Sequence, residues 1–249
     1  MIRALAALLL SLLTVLPIGS ASRADMTKSI RIGTEAAFPP YVSLDSHGNL
    51  RGFEIDMGNA VCAQLSLTCT WVQTEWTTII PNLLAGDYDV IMAGMGITPS
   101  RAAQIAFSRE YLPSGNVAAG MYVATNSFVT PGKAVISVQK GTIHEEHLRA
   151  RGFICKTYPT AYAAFQALLD GKVDMTFGSP DFLRNRVAHT SRMLNIIGTD
   201  NLAAGGVAAG FRKQDTALRE SFNQALDALA ADGTIKRLKQ KWFNPSQDT

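Results

Sequence analysis

Beyond residue 24 the chain has no apolar run approaching the roughly 18 residues of a membrane-crossing helix. Cysteine is scarce, with three in 249 residues and no C-x-x-C pair, which excludes the usual cysteine-based metal sites. Charge of one sign is also lacking. The chain carries 23 Lys and Arg against 20 Asp and Glu, without a basic cluster, so nucleic acid is not expected as a partner. Neither a G-x-S-x-G elbow, a P-loop nor an H-E-x-x-H sequence occurs, which removes the commonest hydrolase, nucleotide and zinc-peptidase signatures. His144 and His147 stand three apart on one helical face, but no third ligand is indicated, so neither a metal nor a cofactor is expected.

What is present begins at the N-terminus. Met1-Ile2-Arg3 is a short basic start, Ala4 to Leu16 is almost wholly apolar, and Ser22-Arg23-Ala24 places small residues before a cut. That layout predicts a secretory signal peptide over 1–24 and export to the periplasm. Removing it leaves 249 − 24 = 225 residues and, without Arg3 and Arg23, 21 basic against 20 acidic side chains. In an oxidising compartment Cys62 and Cys69 can form a disulfide joining the end of a helix to the following strand. Cys155 is left over and is expected as a buried thiol.

Periodicity then supplies the architecture. Ile30 to Thr34, Thr70 to Gln73 and Val90 to Met92 read as strands. Between them, Met57, Ala60, Val61 and Leu65 mark one half-buried helix, and Ile79, Ile80, Leu83 and Leu84 a second that Gly86 ends. The second half repeats the plan: strand Val135 to Val138, helix Thr160 to Asp170, strand Val173 to Phe177. Leu83 to Met92 matches Leu168 to Phe177 at an offset of 85, each reading helix, Gly stop, Asp, strand. Two further helices close the chain, one through Leu218, Phe222, Ala225, Leu226 and Leu229, the other through Ile235, Leu238 and Trp242. These alternations predict an α/β protein of two lobes, each a mainly parallel sheet flanked by helices. In such sheets ligands sit beyond the carboxyl ends of the strands, here Ala93 to Gly96 and Gly178-Ser179.

Two helix starts suit an anionic group. Thr98 is a good N-cap, Pro99 fits the first helical position, and Arg101 adds a guanidinium fork to the free backbone N–H groups. Thr142 and Glu145 fit a capping box after Gly141, with Ile143 and His144 in the first turn. Phe38, after the first strand, and Trp76, after the second, can enclose an apolar stem, and Glu35 can pair with a cation.

These residues together resemble a known family, the polar amino-acid-binding proteins that serve ABC importers. The resemblance lies in Ile32-Gly33-Thr34-Glu35, Gly52-Phe53-Glu54-Ile55-Asp56, the Cys62 and Cys69 pair, Asp89-Val90-Ile91-Met92, Ile97-Thr98-Pro99-Ser100-Arg101, Gly171-Lys172-Val173-Asp174 and Ala231-Asp232-Gly233-Thr234. It covers essentially the whole mature chain. The subgroup it looks most like binds histidine, lysine, arginine, ornithine and the opines octopine and nopaline.

The resemblance implies a type II periplasmic binding fold joined by two hinge strands. Lobe 1 would comprise 25–114 and 206–249, and lobe 2 115–205, with hinges near Pro113–Asn116 and Ala203–Gly206. It also implies a monomer that passes its ligand to a membrane permease and is not an enzyme. Arg101 would grip the ligand's α-carboxylate, helped by N–H groups near Gly96 and Ile143. Phe38 and Trp76 would enclose the side chain, and Glu35 would meet a distal cation. This chain departs from the pattern at Ser179, where relatives place an aspartate for the α-ammonium, and at Gly94 and Gly96, where serines are usual. A missing carboxylate disfavours a primary α-ammonium, and glycine is expected to leave more room, so the departures point to an N-substituted ligand such as an opine. Two other readings share the resemblance: a periplasmic enzyme like the cyclohexadienyl dehydratases, and a binder that docks to a chemoreceptor.

Overall fold

The computed structural model describes residues 29–114 and 118–243. The expected signal segment 1–24, and Gly115 and Asn116 of the first expected hinge, lie outside the described residues. The first part of the chain forms β1 (Ser29–Thr34), β2 (Ala37–Phe38), β3 (Val42–Leu44), β4 (Leu50–Arg51), α1 (Phe53–Gln64), β5 (Thr68–Gln73), α2 (Ile79–Ala85), β6 (Val90–Ile91), α3 (Pro99–Ala102) and β7 (Ala106–Phe107). The second forms β8 (Ala119–Ala124), β9 (Ile136–Gln139), α4 (Ile143–Ala150), β10 (Cys155–Tyr158), α5 (Ala161–Leu169), β11 (Met175–Gly178), α6 (Pro180–Ala188) and β12 (Asn195–Asn201). Then come β13 (Gly210–Phe211), α7 (Thr216–Ala231) and α8 (Thr234–Phe243).

Two 5-stranded sheets result, ordered β5-β1-β6-β13-β7 and β10-β9-β11-β8-β12. In the first, β5, β1 and β6 run parallel and β13 runs against its neighbours. In the second, β10, β9 and β11 run parallel and β8 runs against its neighbours. The lobes therefore share one plan, and the two strands matched by the 85-residue repeat, β6 and β11, hold the same central place in their sheets. The reversed strand in each sheet is the one that has just crossed from the other lobe. A separate antiparallel meander, β2-β3-β4, carries Phe38 to the mouth of the first lobe.

The helices follow from their apolar faces. Phe53, Met57 and Val61 of α1 are fully buried and pack with Ile30 and Ile32 of β1 and with Phe222, Leu226 and Leu229 of α7. Gly86 stops α2 at φ 89°, a left-handed conformation that a Cβ would disfavour. On the other side, Phe165 and Leu168 of α5 pack against Met121 and Val123 of β8 and against Phe182 of α6.

Two segments cross between the sheets side by side. Tyr111 N donates to Val207 O at 3.0 Å, Val207 N to Leu112 O at 2.9 Å, and Leu202 N to Ala118 O at 2.7 Å. The disulfide Cys62–Cys69 joins the last turn of α1 to β5. Cys155 opens β10 as a free, half-buried thiol packed against the second lobe's core. Lys241 of α8 is exposed and donates to Asp56 at 2.8 Å, beside Trp242 Nε1 at 2.7 Å on the same oxygen.

Protein isolated from an oxidising compartment is expected to show one titratable thiol when unfolded, rising to three on reduction. Reduction should cost about 2–3 kcal/mol for so short a loop, read from denaturant midpoints. Three thiols before reduction would show that the bridge is not formed.

Candidate functional site

The site grows from the carboxyl ends of the parallel strands. After β6 the chain turns through Ala93 to Gly96 and enters α3, where Thr98 Oγ1 accepts the Arg101 N–H at 3.2 Å. The Arg101 side chain curls back, and its Nη1 donates to Gly96 O at 2.8 Å. The guanidinium carbon stands 5.0 Å from the Trp76 ring centroid, a cation–π arrangement. Arg101 is only 9% exposed and has no carboxylate at ion-pair distance among the described residues. Desolvation lowers its pKa to about 10, with only the distant charge of Glu146 working against that. A desolvated, unpaired cation facing a cavity is arranged to receive an anion.

Three links cross the cleft. Trp76 Nε1 donates to Gly141 O at 2.9 Å. Gln139 Nε2, at the end of β9, donates to Glu35 Oε1 at 2.8 Å. Tyr41 OH donates to Asp181 Oδ2 at 2.8 Å. Between them lies a cleft of about 640 Å³ of atom-free space, part of it open to solvent. Its lining holds Glu35, Phe38, Trp76, Ala93, Gly94, Gly96, Arg101, Thr142, Ile143, His144 and Ser179. Thus every predicted site residue lies at the cleft wall except Thr98, whose hydroxyl is turned into its own helix as the α3 cap.

The second lobe offers a helix start. Thr142 Oγ1 accepts the Glu145 N–H at 3.3 Å, while the Glu145 carboxylate reaches Gly141 N at 2.7 Å, one residue short of the expected capping-box partner. The first helical N–H groups, those of Ile143 and His144, have no acceptor within the helix. His144 is neutral: burial pushes its pKa down to about 4, and its Nε2–H donates to Ala119 O at 3.3 Å.

Among the described residues, Glu35 is the one carboxylate on this wall. Desolvation pushes it up to about 7, against the stabilising hydrogen bond from Gln139. Glu54, fully buried at the start of α1, is likewise raised to about 7 by desolvation. Its two oxygens accept Tyr111 OH and Gly94 N, so the Gly94 N–H is already spent on the protein. Phe38 stacks on Tyr41 in its own lobe at 4.9 Å and on Phe182 of the other at 5.6 Å. A Cβ on Gly94, which sits at φ 65°, would meet Phe38 Cε1 at 2.8 Å. This corrects the expectation that glycine here leaves room for a larger ligand: the Phe38 ring fills the space.

The wall also contains Gly178, already read as a strand end, and residues that the sequence reading missed: Gln139, Ala161, Ala164, Thr176, Phe177, Phe182 and Leu183. Gln139 ends β9, so the strand-end rule already applied to Ala93 and Gly178-Ser179 would have found it. Ser179-Pro180 is an N-cap and N1 pair like Thr98-Pro99, and would have signalled α6 and with it Phe182 and Leu183.

Known proteins share this fold and sequence pattern. Residues 30–245 match the family described as bacterial extracellular solute-binding proteins, family 3. The chain is 32% identical over 255 residues to the histidine-binding periplasmic protein of Escherichia coli K12, covering 95% of this chain and 96% of that one. It is 30% identical over 226 residues to ABC transporter arginine-binding protein 1 of the same organism, covering 88% and 93%. Among solved structures, a periplasmic His/Glu/Gln/Arg/opine family-binding protein from Silicibacter pomeroyi, in complex with lysine, superposes with a TM-score of 0.82 at 35% identity, covering 89% and 99%. These relatives are named as binding proteins, not enzymes.

The raised Glu35 carboxyl has a consequence for ligand-stripped protein. Its folded-state pKa lies above the ordinary value of 4.5, so the folded form holds the proton more tightly. Its share of stability is therefore complete below pH 4.5 and is lost as pH rises to about 7. Melting curves should show Glu35→Gln losing up to about 3 kcal/mol less than wild type between those pH values. Parallel pH profiles would show that Glu35 titrates normally.

Proposed function

Because the chain belongs to the bacterial extracellular solute-binding proteins, family 3, we propose that it captures a small carboxylate-bearing, amino-acid-derived ligand between its lobes and delivers it to an ABC permease. It works in the periplasm, reached through the apolar leader at 1–24, and binds without doing chemistry. The observation that carries this reading is Arg101, a buried guanidinium at the wall of an interlobe cleft with no carboxylate at ion-pair distance among the described residues. The ligand's carboxylate supplies the missing charge, with the first N–H groups of α4 closing from the opposite lobe. Phe38 and Trp76 flank its body, and Glu35 faces a distal cation. The crossing segments around Leu112 and Val207 act as hinges, with lobe 1 built from both chain ends.

Ligand identity follows from charge. Ser179 presents a hydroxyl where an α-ammonium would need a carboxylate, and Glu35 lies beside Gln139 elsewhere on the wall. A primary ammonium at Ser179 would be desolvated without a counter-ion. An opine of octopine or nopaline type, whose α-nitrogen is substituted and flanked by a second carboxylate, fits better than a free basic amino acid. The Silicibacter pomeroyi relative, a His/Glu/Gln/Arg/opine family-binding protein by name, spans both classes.

A thermal-shift series on stripped protein, with arginine, lysine, ornithine, histidine, glutamine, glutamate, octopine and nopaline, tests both levels. A ligand at 100 times its Kd adds about 2.7 kcal/mol of stability. The largest rise is expected with an opine; a larger rise with arginine or lysine would reverse the preference and leave the binder intact. No rise with any compound would remove the ligand class. Arg101→Ala is expected to weaken whichever ligand binds by about 2–5 kcal/mol in calorimetry, and unchanged affinity would take Arg101 out of the site.

A further inference from the structure

Tyr41 lies between β2 and β3 at 1% exposure, its ring held by Phe38 at 4.9 Å and met edge-on by Phe243 at 5.2 Å. Its hydroxyl crosses to the other lobe and donates to Asp181 Oδ2 at 2.8 Å. Asp181 stands in the first turn of α6 and is that helix's sole acid. Its helix neighbours Ser179, Phe182 and Leu183 line the cleft, whereas Asp181 does not. Ser179 Oγ is buried and, although close enough to the Tyr41 phenol to favour its ionised form, makes no hydrogen bond of sound geometry. The cleft thus has an unsatisfied hydroxyl at its wall and a carboxylate just behind it, turned away by a tyrosine.

We propose that Tyr41 is a specificity-determining residue, which by engaging Asp181 withholds a carboxylate from the ligand's α-nitrogen and leaves Ser179 to meet it. This rests on the reading that the cleft binds an amino-acid-type carboxylate at Arg101. A half-buried carboxylate deprived of its donor must find another. Without the Tyr41 hydroxyl, Asp181 has two places to turn: toward Ser179 and the cleft, where an ammonium can pair with it, or toward Arg184, an exposed cation on its own helix. The first turn converts the site from one that favours a substituted or uncharged α-nitrogen to one that favours a primary ammonium.

The test compares L-arginine with Nα-acetyl-L-arginine, which differ only at the α-nitrogen, by calorimetry on wild type, Tyr41→Phe, Asp181→Asn and the double variant. Tyr41→Phe should shift the affinity ratio toward arginine by about tenfold or more, the scale of one charge-assisted hydrogen bond. The double variant should return to the wild-type ratio. An unchanged ratio in Tyr41→Phe, or a gain that survives in the double variant, overturns the proposal. If neither compound binds any variant, Asp181 is followed instead by carboxyl NMR titration in an Arg184→Gln background. There, Tyr41→Phe should bring the Asp181 pKa down toward the ordinary 3.9 or so as the carboxylate reaches the solvated cleft. A further rise would mean that it stays buried, and overturns the proposal independently of any ligand.

Discussion

A guanidinium withdrawn from water without a carboxylate beside it costs several kcal/mol. Arg101 is such a group, and much of the cleft is arranged around tolerating it. The Gly96 carbonyl takes one of its five donors and the Trp76 ring covers another side, but neither neutralises the charge. The same Trp76 reaches across to Gly141, so the residue that shields the cation also joins the lobes. On the proposed reading, an anion that completes Arg101 would be met by both walls only with the lobes together, and that differential would favour the closed arrangement.

Behind the wall lies a second layer of buried polar contacts. Glu54 holds the Gly94 N–H with one oxygen and the Tyr111 hydroxyl with the other, and the Tyr111 backbone pairs with Val207 of the second crossing segment. The loop after β6 is thus tied to a segment that crosses between the two sheets. Gly94 itself is fixed by the Phe38 ring, and Phe38 by Tyr41 and Phe182. The cleft is shaped by aromatic packing drawn from both lobes, with few charged groups reaching its surface.

The sequence made some of this legible and left other parts dark, for physical reasons. β6 is covered on both faces and reads as a continuous apolar run, β1 and β9 alternate Ile30 and Ile32, or Ile136 and Val138, with polar residues or glycine, and α1, α2, α5 and α7 carry apolar stripes of helical period. The meander β2 to β4 and strand β13 are two or three residues long, too short for any period to show. β12 is an edge strand whose Asn195, Gly198, Thr199 and Asn201 mask its alternation. At the site, Arg101, Trp76 and Glu35 were legible because each follows a strand end or opens a helix. Thr98 misled because a good cap residue is consumed by its own helix. The Tyr41–Asp181 pair spans 140 residues and has no local signal at all. Neither does the filling of the Gly94 space by Phe38, which only the assembled meander reveals.

Whether one buried cation fixes where the ligand sits is decided by a crystal structure of the protein with the ligand that stabilises it most. A ligand carboxylate is expected at hydrogen-bonding distance, roughly 2.7–2.9 Å, from the Arg101 guanidinium, with the first N–H groups of α4 closing on it. A ligand lodged in the cleft with its carboxylate elsewhere, and Arg101 still bonded only to Gly96, would contradict that placement.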